Sequence, residues 1–200
     1  MPLIHISTDY VFDGTKGAPY VETDPTSPTG VYGRTKLAGE QAVLASGARA
    51  IILRTSWVYA ATGKNFVLTM LNAARKTSNL RVVADQRGCP TAADDLAATI
   101  FNICDRVLRD GWDAGHAGVY HAAGSGETTW HGLASAVFDA AARHGLARPD
   151  VAGIATADWP TPARRPADSR LDCGKLERYF GLRLPDWQES VTRTVDAIFV

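Results

Sequence analysis

The sequence predicts an α/β protein built on a doubly wound parallel sheet, with a smaller α/β lobe interleaved into it. Short apolar segments recur along the chain without the polar alternation of a half-exposed strand, as expected for strands buried on both faces. A longer segment with helical spacing of apolar residues follows most of them. This alternation favours a parallel sheet covered by helices on its faces.

The individual elements follow from apolar runs and from their start and stop signals. Four strands are predicted, at Leu3–Ile6, Ala50–Leu53, Leu80–Val83 and Gly118–Ala122. Six helices are predicted, at about Gly30–Leu44, Asn65–Lys76, Asp94–Leu108, Trp130–His144, Cys173–Phe180 and Asp186–Phe199. Thr129 is the expected N-cap of the fourth helix, and Gly145 its C-terminal stop. Segments 13–30 and 159–166 are rich in turn-forming residues and predict loops, which at such lengths commonly have a function.

Composition and charge exclude several classes of protein. Hydrophobic residues make up 46% of the chain and charged residues 21%, as in ordinary globular proteins. Basic and acidic side chains number 21 each, so the net charge is zero and nothing favours a nucleic-acid or membrane partner. The three cysteines, Cys89, Cys104 and Cys173, are odd in number and widely spaced, which indicates unpaired thiols and a cytoplasmic location. No apolar run approaches the ~18 residues of a membrane span.

One constellation of polar residues indicates chemistry. Tyr32 and Lys36 lie four residues apart on a predicted helix and therefore share a face. A nearby ammonium favours the ionised form of a phenol, which makes the phenol a better proton donor to a carbonyl oxygen. Ser7 and Thr8 follow a predicted strand, and open parallel sheets bind ligands at the carboxyl ends of strands. A strand-end hydroxyl could then donate a second hydrogen bond to a developing oxyanion. An exposed Tyr–Lys contact without function is the ordinary alternative.

Several separated motifs resemble the extended branch of the short-chain dehydrogenase/reductase superfamily, and within it the dTDP-4-dehydrorhamnose reductase family. The resemblance covers essentially the whole chain, with its motifs in order. They are Ser7-Thr8-Asp9-Tyr10-Val11-Phe12-Asp13-Gly14, Pro28-x-x-x-Tyr32-Gly33-x-x-Lys36-x-x-Gly39-Glu40, Arg54-Thr55-Ser56-Trp57-Val58-Tyr59, Asp85-Gln86-x-Gly88-x-Pro90-Thr91 and Arg165-Pro166-x-x-Ser169-x-Leu171.

The resemblance implies reduction of the 4-keto group of dTDP-4-dehydro-6-deoxy-L-mannose to dTDP-L-rhamnose, with NADPH or NADH as the cofactor. The implied catalytic residues are Thr8, Tyr32 and Lys36, with Tyr32 as proton donor. Tyr32, Lys36 and Ser7 would contact the cofactor. The implied substrate-binding residues are Thr8, Asp9, Trp57 and Arg165, the last through the match of a guanidinium to phosphate.

One part of the family pattern is missing from the sequence. Members begin with a strand, a glycine-rich turn and a helix whose N-terminus binds the pyrophosphate. The turn Gly124-Ser125-Gly126 lacks the third glycine and reads as an ordinary turn. We therefore expect a C-terminal fragment that is inactive alone: residues 1–84 as the second half of a Rossmann-like dinucleotide-binding domain, and 85–200 mainly as the substrate-binding lobe. The strand at 118–122 would return to the main sheet.

Metal sites and alternative functions receive weaker support. The five histidines form no metal-binding motif, although Asp94 and Asp95 could hold a magnesium ion at a subunit contact, as in a full-length homodimer. Trp130, Trp159 and Trp187 are expected to serve packing.

A non-catalytic relative, such as the regulatory subunit of methionine adenosyltransferase, is the main alternative function, together with other nucleotide-sugar epimerases or reductases. A dehydratase would require an acidic pair after Thr8, which Asp9-Tyr10 does not supply.

Overall fold

The structure is a computed structural model that describes residues 2–161, 163 and 165–200. The described residues form nine strands: β1 Leu3–Thr8, β2 Ala50–Thr55, β3 Val58–Tyr59, β4 Asn79–Val83, β5 Arg87–Gly88, β6 Thr91–Ala92, β7 Gly118–His121, β8 Thr128–Thr129 and β9 Asp150–Ile154. The α-helices are α1 Val31–Ala45, α2 Phe66–Ala74, α3 Ala93–Asp110, α4 Trp130–Ala142, α5 Gly174–Phe180 and α6 Trp187–Ile198. The predicted α/β class is confirmed.

The main sheet contains three parallel strands in the order β1-β2-β7. Every residue of β2 is buried, which explains its continuous apolar run. β1 extends beyond the predicted end at Ile6, because Ser7 and Thr8 continue the ladder opposite Arg54 and Thr55. The two hydroxyl residues therefore belong to the strand itself, and the backbone ladder holds them at its carboxyl end.

Three two-stranded sheets complete the β structure. β3 pairs with β6 and β4 with β9, both in parallel, while β5 and β8 are antiparallel. β9 was not predicted, because Asp150-Val151-Ala152-Gly153-Ile154 is short and largely polar or small. Its pairing with β4, some seventy residues away, creates the strand. The strand predicted near residue 80 thus lies outside the three-stranded sheet.

The helices α1 to α6 begin and end within a few residues of the predicted positions. The Thr129 hydroxyl accepts a hydrogen bond from the backbone N–H of Gly132, so Thr129 is confirmed as the N-cap of α4. The Asn65 side chain caps α2 in the same way. The largest core cluster lies between α2, α4 and α6 and the short strands. Among the described residues, no helix is both long and apolar enough to cross a membrane.

Candidate active site

The helix α1 approaches the main sheet closely at its first turn. A Cβ atom at Gly33 would overlap the carbonyl oxygen of Tyr10, which lies in the short 3-10 turn directly after β1. Only glycine allows this approach, because it has no side chain. The contact brings the neighbouring Tyr32 to the carboxyl end of β1.

All seven predicted site residues line one cavity of about 870 Å³ at this end of the sheet. They come from β1, α1, the turn before β3 and the loop before residue 167: Ser7, Thr8, Asp9, Tyr32, Lys36, Trp57 and Arg165. The cavity is of the size that holds small-molecule ligands and cofactors. The structure therefore brings together residues that are separated by up to 158 positions in the chain.

Tyr32 and Lys36 occupy the same face of α1, as their spacing predicts. The Tyr32 side chain is 57% exposed, and its ring makes an edge contact with the ring of Tyr10, with centroids 6.2 Å apart. The Lys36 ammonium donates a hydrogen bond to the carbonyl oxygen of Ile6, at 2.5 Å. That bond holds the ammonium beside the end of β1 and leaves two of its three N–H groups for other acceptors.

Thr8 and Asp9 form a buried hydrogen-bonded pair. The Thr8 hydroxyl donates to Asp9 Oδ1 at 2.9 Å and accepts from the backbone N–H of Tyr10. The Ser56 hydroxyl donates to Asp9 Oδ2, also at 2.9 Å. Burial raises the pKa of Asp9 to about 6, and hydroxyl donors, including those of Ser169, Ser56 and Thr8, offset part of this shift. Asp9 is therefore a carboxyl group that changes its proton occupancy near neutral pH.

Ser7 makes a different contact from the one the resemblance implies. Its side chain is 2% exposed, and its hydroxyl donates to Oε1 of Glu40 in α1. The proton of this hydroxyl is thus directed toward the helix. The predicted contact of Ser7 with the cofactor stays a prediction.

Stacked indole rings form the opposite wall. Trp57 lies parallel to Trp130, with centroids 3.6 Å apart and an interplanar angle of 8°. Trp57 has a φ of 47°, the one positive value at a non-glycine residue in the described part of the chain. Its ring fills the space where a side chain at Gly88 would lie. Arg165 sits over the Trp130 ring, 5.6 Å from its centroid. This wall combines flat apolar surface with one guanidinium.

Trp130 was predicted to serve packing, yet it lines the cavity. Its indole N–H donates to Gln86 Oε1 at 3.0 Å, and the Gln86 amide donates to Thr156. Tyr10 also lines the cavity, and burial raises its pKa to about 12. No spacing in the sequence links Trp57 to Trp130, so only the tertiary contact could reveal this part of the site.

Two other predicted features have structural contacts of their own. Asp95 is paired with Arg193 and accepts a hydrogen bond from Ser190, so its charge is already balanced, and the predicted magnesium site gains no support. Within the described ranges, no group of three potential ligands surrounds a metal position. In the turn at 124–126, the N–H of Gly124 donates to Thr91 and that of Ser125 to Pro185. These amide groups are used inside the protein, as in an ordinary turn.

A phenol and a lysine one helical turn apart, facing the carboxyl ends of parallel strands, define the short-chain dehydrogenase/reductase class. Residues 1–199 match the family described as the RmlD substrate binding domain. A dTDP-4-dehydrorhamnose reductase from Sinorhizobium fredii is 50% identical over the whole chain, which covers 67% of that relative. The chain belongs to the dTDP-4-dehydrorhamnose reductase family, as predicted from its motifs.

Solved structures agree with this assignment. The dTDP-4-dehydrorhamnose reductase of Clostridium acetobutylicum is 35% identical, with a TM-score of 0.88 over 98% of this chain and 66% of the other. The Bacillus anthracis enzyme, solved in complex with NADP, is 32% identical, with a TM-score of 0.84 over 97% of this chain and 65% of the other. The chain spans about two thirds of the length of the relatives it matches.

Proposed function

We propose that this chain carries the proton-donating and substrate-binding part of an NAD(P)H-dependent reductase. The substrate would be dTDP-4-dehydro-6-deoxy-L-mannose, whose 4-keto group is reduced to give dTDP-L-rhamnose. The observation that carries the proposal is the convergence of Thr8, Tyr32, Lys36 and Trp57 on one cavity. The names of the relatives support the same substrate.

Tyr32 is the proton donor in this proposal. As the carbonyl carbon is reduced, negative charge develops on its oxygen, and the phenol gives up its proton to that oxygen. The Lys36 ammonium lies on the same face of α1 and stabilises the phenolate that remains. Lys36 keeps this position because the carbonyl of Ile6 accepts one of its hydrogen bonds.

Thr8 orients the keto group next to this donor. Its hydroxyl is held by Asp9 and by the N–H of Tyr10, so its oxygen has a fixed position at the cavity wall. A substrate oxygen that binds there meets a preorganised polar group at no cost of side-chain ordering. When Asp9 is protonated, it can donate to Thr8, and the Thr8 hydroxyl is then free to donate to the substrate.

The residues present fit the nicotinamide end of the cofactor. When bound, a reduced nicotinamide would supply a hydride to the carbonyl carbon, and Tyr32 would supply the proton to the carbonyl oxygen. Lys36 has N–H groups left for ribose hydroxyls, and Tyr32 is exposed to the same cavity. The amide groups of Gly124 and Ser125 already donate to Thr91 and Pro185, so these two do not fit the pyrophosphate.

The sugar and its nucleotide would lie along the aromatic wall. Flat sugar and base surfaces pack on indole rings. Trp57 and Trp130 line the cavity as a stacked pair, so a ligand would contact the ring surface that their mutual stack leaves uncovered. Arg165 lies at the edge of this surface and matches the geometry of a phosphate. Substrate specificity is therefore assigned to residues 57, 130 and 165.

The test is oxidation of NADPH or NADH in the presence of the ketosugar, with product identified by chromatography. Two proteins are compared: the chain of residues 1–200, and the same chain joined to the part of the Sinorhizobium fredii relative that it does not cover. We expect turnover by the joined protein and little or none by residues 1–200. A joined protein that binds NADPH but leaves the ketosugar unreduced would contradict the proposal.

The remaining predictions belong to the same proposal. A cytoplasmic location is supported by Cys89, Cys104 and Cys173, which are free thiols. The division at residue 84 and a homodimer are also proposed. Sedimentation of the joined protein at several concentrations measures the second of these.

A further inference from the structure

The helix α1 carries Tyr32 and Lys36, yet it buries little apolar surface. Only Gly33 and Glu40 are buried among its fifteen residues, and the apolar Leu37 packs only partly against the core. A surface helix of a globular protein normally buries an apolar stripe of three to four residues in two turns. Hydrophobic packing alone therefore gives α1 a weak preference for one rotation and one position along the sheet.

Glu40 gives α1 a specific polar contact with the main sheet, which its small apolar surface does not provide. It follows Lys36 by four residues, so Tyr32, Lys36 and Glu40 succeed one another along one face of α1. Its carboxylate accepts from Arg54 of β2, with Nε to Oε1 at 2.9 Å and Nη2 to Oε2 at 2.7 Å. The Ser7 hydroxyl of β1 donates to the same carboxylate. One side chain of the helix thus binds both strands whose ends form the site.

The geometry of this ion pair restricts how far α1 can rotate or shift relative to β2. The side chains of Arg54 and Glu40 are 5% and 2% exposed, so neither charge has water as a substitute partner. Among the described residues, Glu40 is the single carboxylate paired with Arg54. A bidentate fork requires the two planar groups to meet in line. A turn or shift of α1 would separate the charges, and a buried unpaired charge is strongly unfavourable.

We propose that Glu40 and Arg54 are positioning residues that hold the Tyr32–Lys36 face of α1 against the carboxyl ends of β1 and β2. They act through the helix and touch neither substrate nor cofactor. This inference rests on the proposed function in one respect: its kinetic consequence assumes that Tyr32 donates the proton. A displacement of about 1 Å at a catalytic group can reduce the rate about a hundredfold.

The test replaces both partners at once. Removing one partner would leave a buried charge, whereas an apolar pair of similar volume preserves folding in many proteins. The variant is Glu40→Met with Arg54→Met in the joined protein. The control is Asp95→Leu with Arg193→Met, a more exposed pair, with 13% of the Asp95 and 53% of the Arg193 side chain accessible. That pair also joins an acid to an arginine and a serine hydroxyl, but between α3 and α6, away from the cavity.

We expect the Glu40/Arg54 variant to lower kcat and to leave the KM for the ketosugar nearly unchanged. In the Glu40/Arg54 variant, kcat falls at least about tenfold, because Tyr32 and Lys36 lose their position. The KM for the ketosugar changes less than about threefold, since the aromatic wall is intact. The control variant keeps both constants. If the double variant does not fold, Arg54→Lys replaces it, since it keeps the charge and loses the fork. Unchanged kcat in the folded variant would overturn the inference.

A second readout does not depend on activity. Fluorotyrosine incorporation gives a ¹⁹F signal for Tyr32, assigned by its loss in Tyr32→Phe, and the edge contact with Tyr10 makes the signal sensitive to position. We expect it to move or broaden in the Glu40/Arg54 variant and to stay in place in the control. If the joined protein without these substitutions binds NADPH but reduces no ketosugar, the proposed function fails, and the ¹⁹F signal alone then decides whether the ion pair positions the helix.

Discussion

The two walls of the cavity are built in different ways. The polar wall consists of Thr8, Asp9, Tyr32 and Lys36, which lie within 29 consecutive residues. Hydrogen bonds hold Thr8 to Asp9 and Lys36 to the backbone, while the Tyr32 ring contacts the ring of Tyr10. The aromatic wall consists of Trp57, Trp130 and Arg165, which lie far apart in the chain and meet through ring contacts.

This difference suits the polar wall to proton transfer and the aromatic wall to substrate binding. Hydrogen bonds have strict geometry, so they hold the Thr8 hydroxyl and the Lys36 ammonium in fixed positions beside the proton donor. Stacked rings tolerate small displacements and offer broad surface, which suits binding of a sugar and a base. We therefore expect changes in the polar wall to act on kcat or on stability, and changes in the aromatic wall to act on substrate affinity.

The largest effect is expected for Tyr32→Phe, which removes the proton donor of the polar wall. General acid catalysis contributes about 10²- to 10⁴-fold, so kcat of the joined protein should fall by that range while NADPH still binds. Steady-state kinetics and a fluorescence titration with NADPH measure the two quantities. Tyr179→Phe, a half-exposed tyrosine outside the cavity, is the control and should retain full kcat. Equal losses in both variants would contradict the assignment.

Asp9 makes the stability of the polar wall depend on pH. Its pKa is about 6 in the folded protein and 3.8 in the reference state, so between these values the folded state binds more protons. Well below pH 4, Asp9 is protonated in both states and its burial carries no penalty for a charge. As the pH rises from about 4 through about 6, the carboxyl ionises first in the unfolded state and then in the folded state, so the free energy of unfolding falls. At about 1.4 kcal/mol for each pKa unit, the loss is about 3 kcal/mol.

Denaturant unfolding from pH 4 to 7 measures this dependence in residues 1–200. We expect the unfolding free energy of the wild type, relative to that of Asp9→Asn, to fall by about 3 kcal/mol across this range. Asp13→Asn is the control. Hydrogen bonds from Thr15 lower the pKa of the half-buried Asp13 carboxyl, so this group stays largely ionised from pH 4 to 7 and should leave the pH dependence unchanged.

Burial lowers the pKa of His121 to about 3, so that group makes wild-type stability rise with pH over the same range. The test is therefore the difference in unfolding free energy between the wild type and Asp9→Asn, and a difference that stays constant from pH 4 to 7 would contradict the assignment to Asp9.

Gly33→Ala tests the close approach of α1 to the polar wall. The added methyl group overlaps the Tyr10 carbonyl, and overpacking of this kind typically costs about 1–3 kcal/mol. The helix must move, so kcat falls as well. Gly39→Ala lies on the same helix, where a Cβ would be 3.5 Å from His5, and we expect it to be neutral or to stabilise by up to about 1 kcal/mol. Thermal unfolding of both variants compares them, and equal melting temperatures would argue against the contact.

The smallest effect is expected on the aromatic wall. Trp130→Leu removes one partner of the indole stack, which is worth about 0.5–1.5 kcal/mol. The KM for the ketosugar should rise about threefold to tenfold with little change in kcat. Trp112→Leu, on a different core cluster, is the matched control and should leave KM unchanged. A fall in kcat with constant KM would show that the aromatic wall contributes to the chemical step, and would contradict its assignment to substrate binding alone.

Much of the polar wall was predictable because its determinants are local. The four-residue spacing of Tyr32 and Lys36 determines that they share a helix face, whatever the rest of the fold does. The same holds for Thr129, whose side chain caps α4 as predicted. The end of β1 was placed two residues early, because the pairing of Ser7 and Thr8 with β2 depends on a distant strand and not on their own polarity.

The sequence by itself determined the alternation of strands and helices, the family and the residues of the polar wall, since each depends on spacings of a few residues. Only the tertiary structure decided that Trp130 faces Trp57, that Ser7 binds Glu40 and that β9 exists at all. These features depend on contacts between segments that are tens of residues apart. Such contacts form when the whole core packs, and no local preference in the chain specifies them.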